Sequence, residues 1–257
     1  MFGVRGRGAG AALAASLAFA LTLTGTASAG PLSPTPVVDP AWPVDARGDG
    51  CAAPVWPEAD ASYDDSRVLV IGDSLIRDTR AQLEGALTEA GWIPTVRCWG
   101  AKGTDWGVTQ VKRARQLKQL PDRVVVSLGT NDIWWLGIPM DVAVDQMMRA
   151  LGPKREVYWV NLWFGDAGFA NYDRLPRPTK ANRILRAKAK QYPNLHIINF
   201  ATAFRTAARA GKGVGWADGV HLNAAGYRLR THLIVEALTP ISEEPPPTED
   251  GPGGASR

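Results

Sequence analysis

Short apolar runs alternate with helical patterns through the middle of the chain. Helical spacing of apolar residues follows each run, over residues 75–90, 106–120, 141–151, 179–191 and 223–238. The runs themselves are predicted as strands, at residues 68–71, 92–98, 124–128, 157–162 and 195–200. Strands that are apolar at nearly every position are typical of a parallel sheet covered on both faces. The pattern predicts a doubly wound, three-layer α/β/α domain built on five parallel strands.

The N-terminal segment has the pattern of an export signal. Arg5 and Arg7 precede an apolar run over residues 9–23, and Ala27-Ser28-Ala29 provides a small-residue cleavage site. A membrane anchor is the alternative, but a spanning helix needs about 20 apolar residues, and no later segment is long and apolar enough either. We therefore expect a signal peptide at residues 1–29, a secreted product and no transmembrane segment in the mature chain.

Segments rich in proline and glycine flank the predicted folded domain. Residues 30–62 are rich in Pro, Gly and Ala without usable periodicity and are predicted to form an extended leader. Residues 241–257 contain three consecutive prolines and are predicted to be a disordered tail. The folded domain is expected over residues 63–240.

The charge and the cysteine content reduce the number of function classes that fit the chain. The chain has 29 Lys and Arg against 25 Asp and Glu, a formal charge of +4, which is too mild to indicate a nucleic-acid partner. Cys51 and Cys98 are the two cysteines. In an exported protein they most simply form one disulfide, the alternative being two buried free thiols. The chain shows no zinc-ligand spacing and no Gly-rich dinucleotide turn, so no metal or cofactor is expected.

A serine and a histidine stand where a doubly wound sheet forms its sites, beyond the carboxyl ends of the strands. Ser74 follows the first strand and opens a helix, so its hydroxyl is either a nucleophile or a helix cap. Asp218 lies three residues before His221 in a loop, whereas the other two histidines fall inside predicted elements. That spacing lets the carboxylate hold Nδ1 while Nε2 takes a proton from a serine, as in a catalytic triad. The alternative is that Asp218 caps the last helix.

Two further loops at this edge offer donors for a developing oxyanion. Asn131 follows the third strand, and its amide is a candidate donor or a turn residue. The loop after the second strand contains Gly100 and Gly103, where a backbone N–H is able to approach the same oxygen closely.

These segments resemble, in order, the sequence blocks of the GDSL-type or SGNH hydrolase superfamily. The resemblance extends over residues 67–238. Its blocks are Gly72-Asp73-Ser74-Leu75, Gly129-Thr130-Asn131-Asp132 and Asp218-Gly219-Val220-His221.

The resemblance implies a flavodoxin-like five-stranded sheet with Ser74 as nucleophile, His221 as base and Asp218 as its orienting carboxylate. It also implies an oxyanion hole formed by Ser74, Asn131 and a glycine. The asparagine usual before that glycine is missing. Gly103 is chosen because Thr104-Asp105 resembles the two residues after the glycine in the family, with Gly100 in reserve.

Aromatic residues in the same loops suggest how substrate binds. Trp134, Trp135 and Trp163 are candidates for stacking on a sugar or lining an acyl pocket, and closure of the core is the alternative. The leading hypothesis is a secreted serine esterase acting on a small-molecule or glycan ester through an acyl-enzyme. The alternatives are an O-acyltransferase with the same triad and a non-catalytic glycan- or envelope-binding protein.

Overall fold

The computed structural model describes residues 37–38, 48–51, 55–56, 65–165 and 178–239. The chain divides into two units, residues 1–33 and 34–257, and every described residue belongs to the second. The predicted signal peptide and C-terminal tail, like most of the predicted leader, lie outside the described residues. None of the described helices is long and apolar enough to cross a membrane.

Five parallel strands form the central sheet. They are β3 (Arg67–Gly72), β4 (Ile93–Cys98), β5 (Arg123–Ser127), β6 (Glu156–Val160) and β7 (Leu195–Ile198), and their order in the sheet is β4-β3-β5-β6-β7. Two short strands earlier in the chain, β1 (Val37–Val38) and β2 (Val55–Trp56), form a separate antiparallel pair. The order of the main sheet confirms the predicted flavodoxin-like architecture.

Seven α-helices accompany the strands in the described part of the chain. They are α1 (Ser74–Arg77), α2 (Arg80–Glu89), α3 (Thr104–Gln116), α4 (Met140–Leu151), α5 (Pro178–Ala189), α6 (Phe200–Arg209) and α7 (Ala224–Leu238). One face of the sheet packs in a core with α3, α4 and α5, and the other face packs with α1, α2, α6 and α7. The strand residues between them, such as Leu69, Val125 and Trp159, are fully buried, as the apolar runs predict.

Two local predictions are wrong, and one further element was not predicted. The helix expected over residues 75–90 is broken at Asp78 and Thr79, although neither glycine nor proline marks the break. The fifth strand ends at Ile198, and Phe200 instead begins α6, whose first turn donates a hydrogen bond from the Ala201 N–H to Asn161 Oδ1 at 2.7 Å. A π-helical turn over Asp132–Leu136 follows β5 and was not predicted.

The disulfide joins Cys51 to Cys98, as predicted, with the two Cα atoms 5.3 Å apart. Around it, the segment 48–51 docks on the end of β4. The Cys51 N–H donates to the Cys98 carbonyl at 2.9 Å, and the Gly100 N–H donates to the Asp49 carbonyl at 2.6 Å. Part of the predicted leader therefore packs against the domain.

The strand order reverses between β3 and β5, since the chain leaves β3 for β4 on one side and returns to β5 on the other. The crevice at such a switch point, beyond the carboxyl ends of the strands, is where doubly wound domains bind ligands. Ser74 follows β3 and Asn131 follows β5, so the fold brings both to this crevice.

Candidate active site

Ser74 occupies the first position of α1, in a tight turn from β3. Asp73 is the N-cap of this helix, and its Oδ1 accepts a hydrogen bond from the Leu75 N–H at 3.0 Å. The capping role considered for Ser74 therefore belongs to Asp73, which leaves the serine hydroxyl available for other contacts. The turn requires a glycine at position 72, because a Cβ there would lie 2.2 Å from Cγ1 of Ile76.

His221 contacts both Ser74 and Asp218. Its Nε2 lies 2.9 Å from Oγ of Ser74, and its Nδ1 lies 2.6 Å from Oδ2 of Asp218. The other carboxylate oxygen of Asp218 accepts hydrogen bonds from the backbone N–H groups of Val220 and His221, at 3.0 and 2.8 Å. The alternative role of Asp218 as a helix cap is wrong, because Asn223 caps α7 by accepting from the Gly226 N–H.

The charge of Asp218 decides which imidazole nitrogen carries the proton. Partial burial by itself would raise the pKa of Asp218, but the hydrogen bonds from the His221 side chain and from the two backbone N–H groups outweigh it and lower the pKa. An ionised carboxylate only accepts, so Nδ1 of a neutral His221 donates to it. Nε2 then faces the Ser74 hydroxyl as an acceptor.

The amide of Asn131 is buried and held from three directions. Its Nδ2 donates to the Lys102 carbonyl at 3.0 Å and to Oδ2 of Asp73 at a longer 3.3 Å. Its Oδ1 accepts from Nε1 of Trp135 at 3.1 Å, a contact that the π-helical turn makes by placing the indole four residues later. These contacts orient the amide with Nδ2 toward the carboxylate beside Ser74.

The two glycine candidates differ in what their N–H groups do. The Gly100 N–H already donates to the Asp49 carbonyl, although Gly100 lines the cleft next to Ser74. Gly103 is buried at the N-terminus of α3, and within the described residues its N–H has no hydrogen-bond partner. A Cβ at position 103 would lie 2.5 Å from Leu136 and 3.1 Å from Asp132, so packing also favours glycine there.

A buried polar group next to Ser74 was not anticipated from the sequence. Burial raises the pKa of Asp73 to about 6, against the opposing effects of the Leu75 N–H and the positive charge of Arg230. Arg230 is itself buried and donates to Ser127 Oγ at 2.7 Å. Its position in α7 carries no sequence signal, since an arginine in a helix usually lies on the solvent face. Asp132, also buried, accepts from the N–H of Thr104 and has its pKa raised by that burial.

An open cleft of about 500 Å³ leads to Ser74 and His221. Trp134 and Trp135 line it as expected, and Trp135 is 54% exposed. Asp49 and Arg77, which were not predicted, also line the cleft and make an ion pair at 3.5 Å.

Trp163 lies elsewhere. It lines a small cavity beyond the ends of β6 and β7, where the guanidinium of Arg205 lies 5.1 Å from its ring, so it does not join the other two tryptophans. Across the described ranges, no group of three or more His, Cys, Asp or Glu side chains is arranged to hold a metal ion.

Solved structures with the same fold come from several bacteria. The C-terminal catalytic domain of Streptococcus pneumoniae peptidoglycan O-acetyltransferase A, with a methylsulfonyl adduct, is 20% identical, has a TM-score of 0.55, and the match covers 67% of this chain and 92% of that domain. A member of the lipolytic G-D-S-L family from Veillonella parvula is 21% identical with a TM-score of 0.55, covering 66% and 96%. The lipase/acylhydrolase from Enterococcus faecalis is 18% identical with a TM-score of 0.55, covering 67% and 94%.

No curated protein sequence matches the chain. At these identities the structural likeness shows the fold. The family is shown by a sequence model, that of the GDSL-like lipases and acylhydrolases, which matches residues 70–229 and hence more than half of the chain. That range contains Ser74, Asn131, Asp218 and His221. The chain belongs to the GDSL-like lipase/acylhydrolase family.

Proposed function

We propose that this protein is a secreted serine esterase that cleaves carboxylic esters through an acyl-enzyme on Ser74. The observation that carries the proposal is the continuous contact from Ser74 Oγ through both nitrogens of His221 to Asp218, with Ser74 and His221 lining an open cleft. A serine hydroxyl is a poor nucleophile until an adjacent base removes its proton. A protein that only binds glycans does not need this arrangement.

In the proposed reaction, Nε2 of His221 accepts the Ser74 proton as Oγ attacks the ester carbonyl. The tetrahedral intermediate collapses, the C–O bond breaks, and the imidazolium returns its proton to the departing alcohol. Water then attacks the acyl-enzyme with the same base, which releases the carboxylic acid and restores the serine. Asp218 stays ionised throughout and stabilises the imidazolium.

The negative oxygen of the intermediate needs donors, and the N–H groups of Ser74 and Gly103 with Nδ2 of Asn131 are the ones we propose. No described residue accepts a hydrogen bond from either backbone N–H. The Asn131 contact with Asp73 is long, at 3.3 Å, so that N–H is the one available to turn toward substrate. Removal of such a donor costs about 100- to 1000-fold in kcat in other hydrolases.

Acyl transfer to a sugar hydroxyl is the second candidate. The cleft is open, and its wall presents the exposed ring of Trp135 together with the charged Asp49 and Arg77, a surface suited to a polar alcohol. The chemistry up to the acyl-enzyme is the same, and the acceptor alone distinguishes the two functions.

Export is supported by the signal-like N-terminus and by the disulfide, since disulfides persist mainly outside the cytoplasm. N-terminal sequencing of protein recovered from the culture medium tests it. A mature chain starting at Gly30 is expected, and an unprocessed Met1 on protein retained in cells contradicts it.

The decisive experiment is hydrolysis of p-nitrophenyl acetate, butyrate and octanoate by the mature protein. Ser74→Ala is expected to abolish turnover, and His221→Ala to reduce it nearly as far, with the circular dichroism spectrum unchanged for both. Wild-type activity in Ser74→Ala would disprove the nucleophile. If wild-type protein is acylated, releases no acid, and forms a sugar ester only when a sugar alcohol is added, the function is acyl transfer.

A further inference from the structure

The part of the chain that forms α5, β7 and α6 has an unusual charge composition. Residues 178–217 contain eight lysines and arginines and not one aspartate or glutamate, in a chain whose overall charge is nearly balanced. The cations on α5 and just after it are Lys180, Arg183, Arg186, Lys188 and Lys190. Those on and after α6 are Arg205, Arg209 and Lys212.

The fold collects these cations along one border of the domain, the cationic edge (α5, β7 and α6). β7 is the outermost strand of the sheet, and α5 and α6 cover its opposite faces. Both helices begin near the carboxyl ends of the strands, where Arg186 and Arg205 line one small cavity together. The positive charge therefore reaches the same end of the sheet as Ser74.

Most of these side chains are exposed, and within the described part of the chain few of them have an acidic partner. Lys188 pairs with Asp145 at 2.7 Å. Among the described residues, Lys180, Arg183 and Arg186 have no ion-pair partner, and all three are exposed. Like charges held together without counter-charges repel one another, so a surface of this kind gains most from an anionic ligand.

We propose that the cationic edge binds an anionic polysaccharide, and that the esterified unit of the same polymer lies at Ser74. The inference rests on the proposed esterase function and names its substrate class. β3 and β7 are three strand spacings apart in the sheet, about 14 Å. An extended polymer covers that distance within a few units, along the carboxyl ends of the strands.

A lipid surface fits the cationic edge less well. Proteins that bind membranes through a basic helix also insert apolar side chains into the interface. The large apolar residues that are exposed in the described structure are Ile93, Trp135 and Val142, and none of them lies on α5 or α6. Nucleic acid carries phosphate esters and not the carboxylic esters proposed for Ser74, whereas polysaccharides commonly carry carboxylic esters on their sugar hydroxyls.

The test compares an anionic with a neutral polymer. Acetylated polygalacturonate and acetylated xylan are offered to wild-type protein, to Arg183→Glu/Arg186→Glu, and to Lys112→Glu/Arg149→Glu. The last is the matched control, because it makes the same change in net charge at exposed positions on α3 and α4. Each rate is divided by the rate on p-nitrophenyl acetate, which corrects for any loss of folded enzyme.

For Arg183→Glu/Arg186→Glu we expect this ratio to fall about tenfold on polygalacturonate and to stay unchanged on xylan, with no change for the control variant. The wild-type preference for polygalacturonate should also weaken as salt is raised from 50 to about 500 mM. Equal effects of the two double variants, or a salt-independent preference, would overturn the proposal. The proposal would also be overturned if vesicles of anionic phosphatidylglycerol bound the protein through Arg183 and Arg186 while substitution of these two arginines left polymer hydrolysis unchanged.

Binding by Ser74→Ala separates this inference from the proposed function. The inactive variant should still bind polygalacturonate with wild-type affinity, measured by affinity electrophoresis. If binding persists in a wild-type protein that hydrolyses no ester, the proposed esterase function fails while the cationic surface stands. If ester hydrolysis is normal and no polygalacturonate binds, the surface proposal fails alone.

Discussion

Removal of the Cys51–Cys98 disulfide is expected to lower the free energy of unfolding by about 3–4 kcal/mol. The bond closes a loop with a sequence separation of 47, which contains β3, α2 and β4. In the chain-entropy description, a loop of that length restricts the unfolded chain by about 4 kcal/mol at 25 °C. The backbone hydrogen bonds from Cys51 to Cys98 and from Gly100 to Asp49 keep the segment docked after the bond is lost, so the effect falls mainly on the unfolded state.

Urea unfolding at 25 °C measures this for Cys51→Ala, Cys98→Ala and the double variant. Either single substitution breaks the same bond, so each should cost nearly the full amount, and the double variant should cost only about 1 kcal/mol more from lost packing. Both side chains are buried, so a small packing loss is expected at each site. Thiol titration of unfolded wild-type protein should find no free thiol.

Additive single effects, with the double variant costing the sum of the two, would refute this reasoning, because they would mean that the two side chains act only by packing. So would a cost below about 1 kcal/mol for each single variant. In that case the loop would already be restricted in the unfolded state, or the segment 48–51 would leave the domain without unfolding it.

Three further predictions concern the candidate active site. Asp218→Asn is expected to lower kcat by about 100-fold with little change in KM, because the imidazole loses its fixed tautomer. This loss of kcat is smaller than the one expected for Ser74→Ala. Steady-state kinetics that show an unchanged kcat would contradict the prediction. Trp135→Phe keeps an aromatic ring but removes the N–H that holds Asn131, so kcat should fall about 3- to 10-fold. The neighbouring Trp134→Phe should not reproduce that fall. In an Asn131→Ala background, Trp135→Phe should have no further effect on kcat. Asp73 has a folded-state pKa of about 6, above its unfolded value, so the native state binds more protons and wild-type stability falls as pH rises from about 4 to 6. Because Asp73→Asn cannot ionise, its stability relative to wild type should rise by up to about 3 kcal/mol between pH 4 and pH 7 in urea unfolding, and a constant difference would contradict the burial argument.

The fold class and the principal contacts of the site could be predicted from the sequence. Strands buried on both faces have to be apolar throughout, so the run at Val124–Val126 predicts its own burial. The contact between Ser74 and His221 over 147 residues was predicted, although His221 lies in a loop that follows α6 rather than a strand, so tertiary packing brings that loop to the edge where Ser74 follows β3. The short spacing from Asp218 to His221 needs only one local turn, which is why its geometry was also anticipated.

Other features depend on contacts between distant residues and left no local pattern. The sequence could not show that the Gly100 N–H is taken by Asp49, because that bond requires the segment before Cys51 to dock on β4. The burial of Arg230 near Asp73 likewise depends on how α7 packs against the sheet. A helix pattern read alone places such an arginine in solvent.

The cationic edge also depends partly on the sequence and partly on tertiary packing. The absence of acidic residues from 178–217 is a property of the sequence, yet the mild net charge of the whole chain conceals it. Local periodicity predicted that α5 is a helix, whereas α6 was not predicted, and its first turn donates a hydrogen bond from the Ala201 N–H to Asn161 Oδ1. Strand order then decided that both helices flank the edge strand. Local propensity acts only between neighbours in the chain, whereas packing across the sheet decides which charged helices lie side by side.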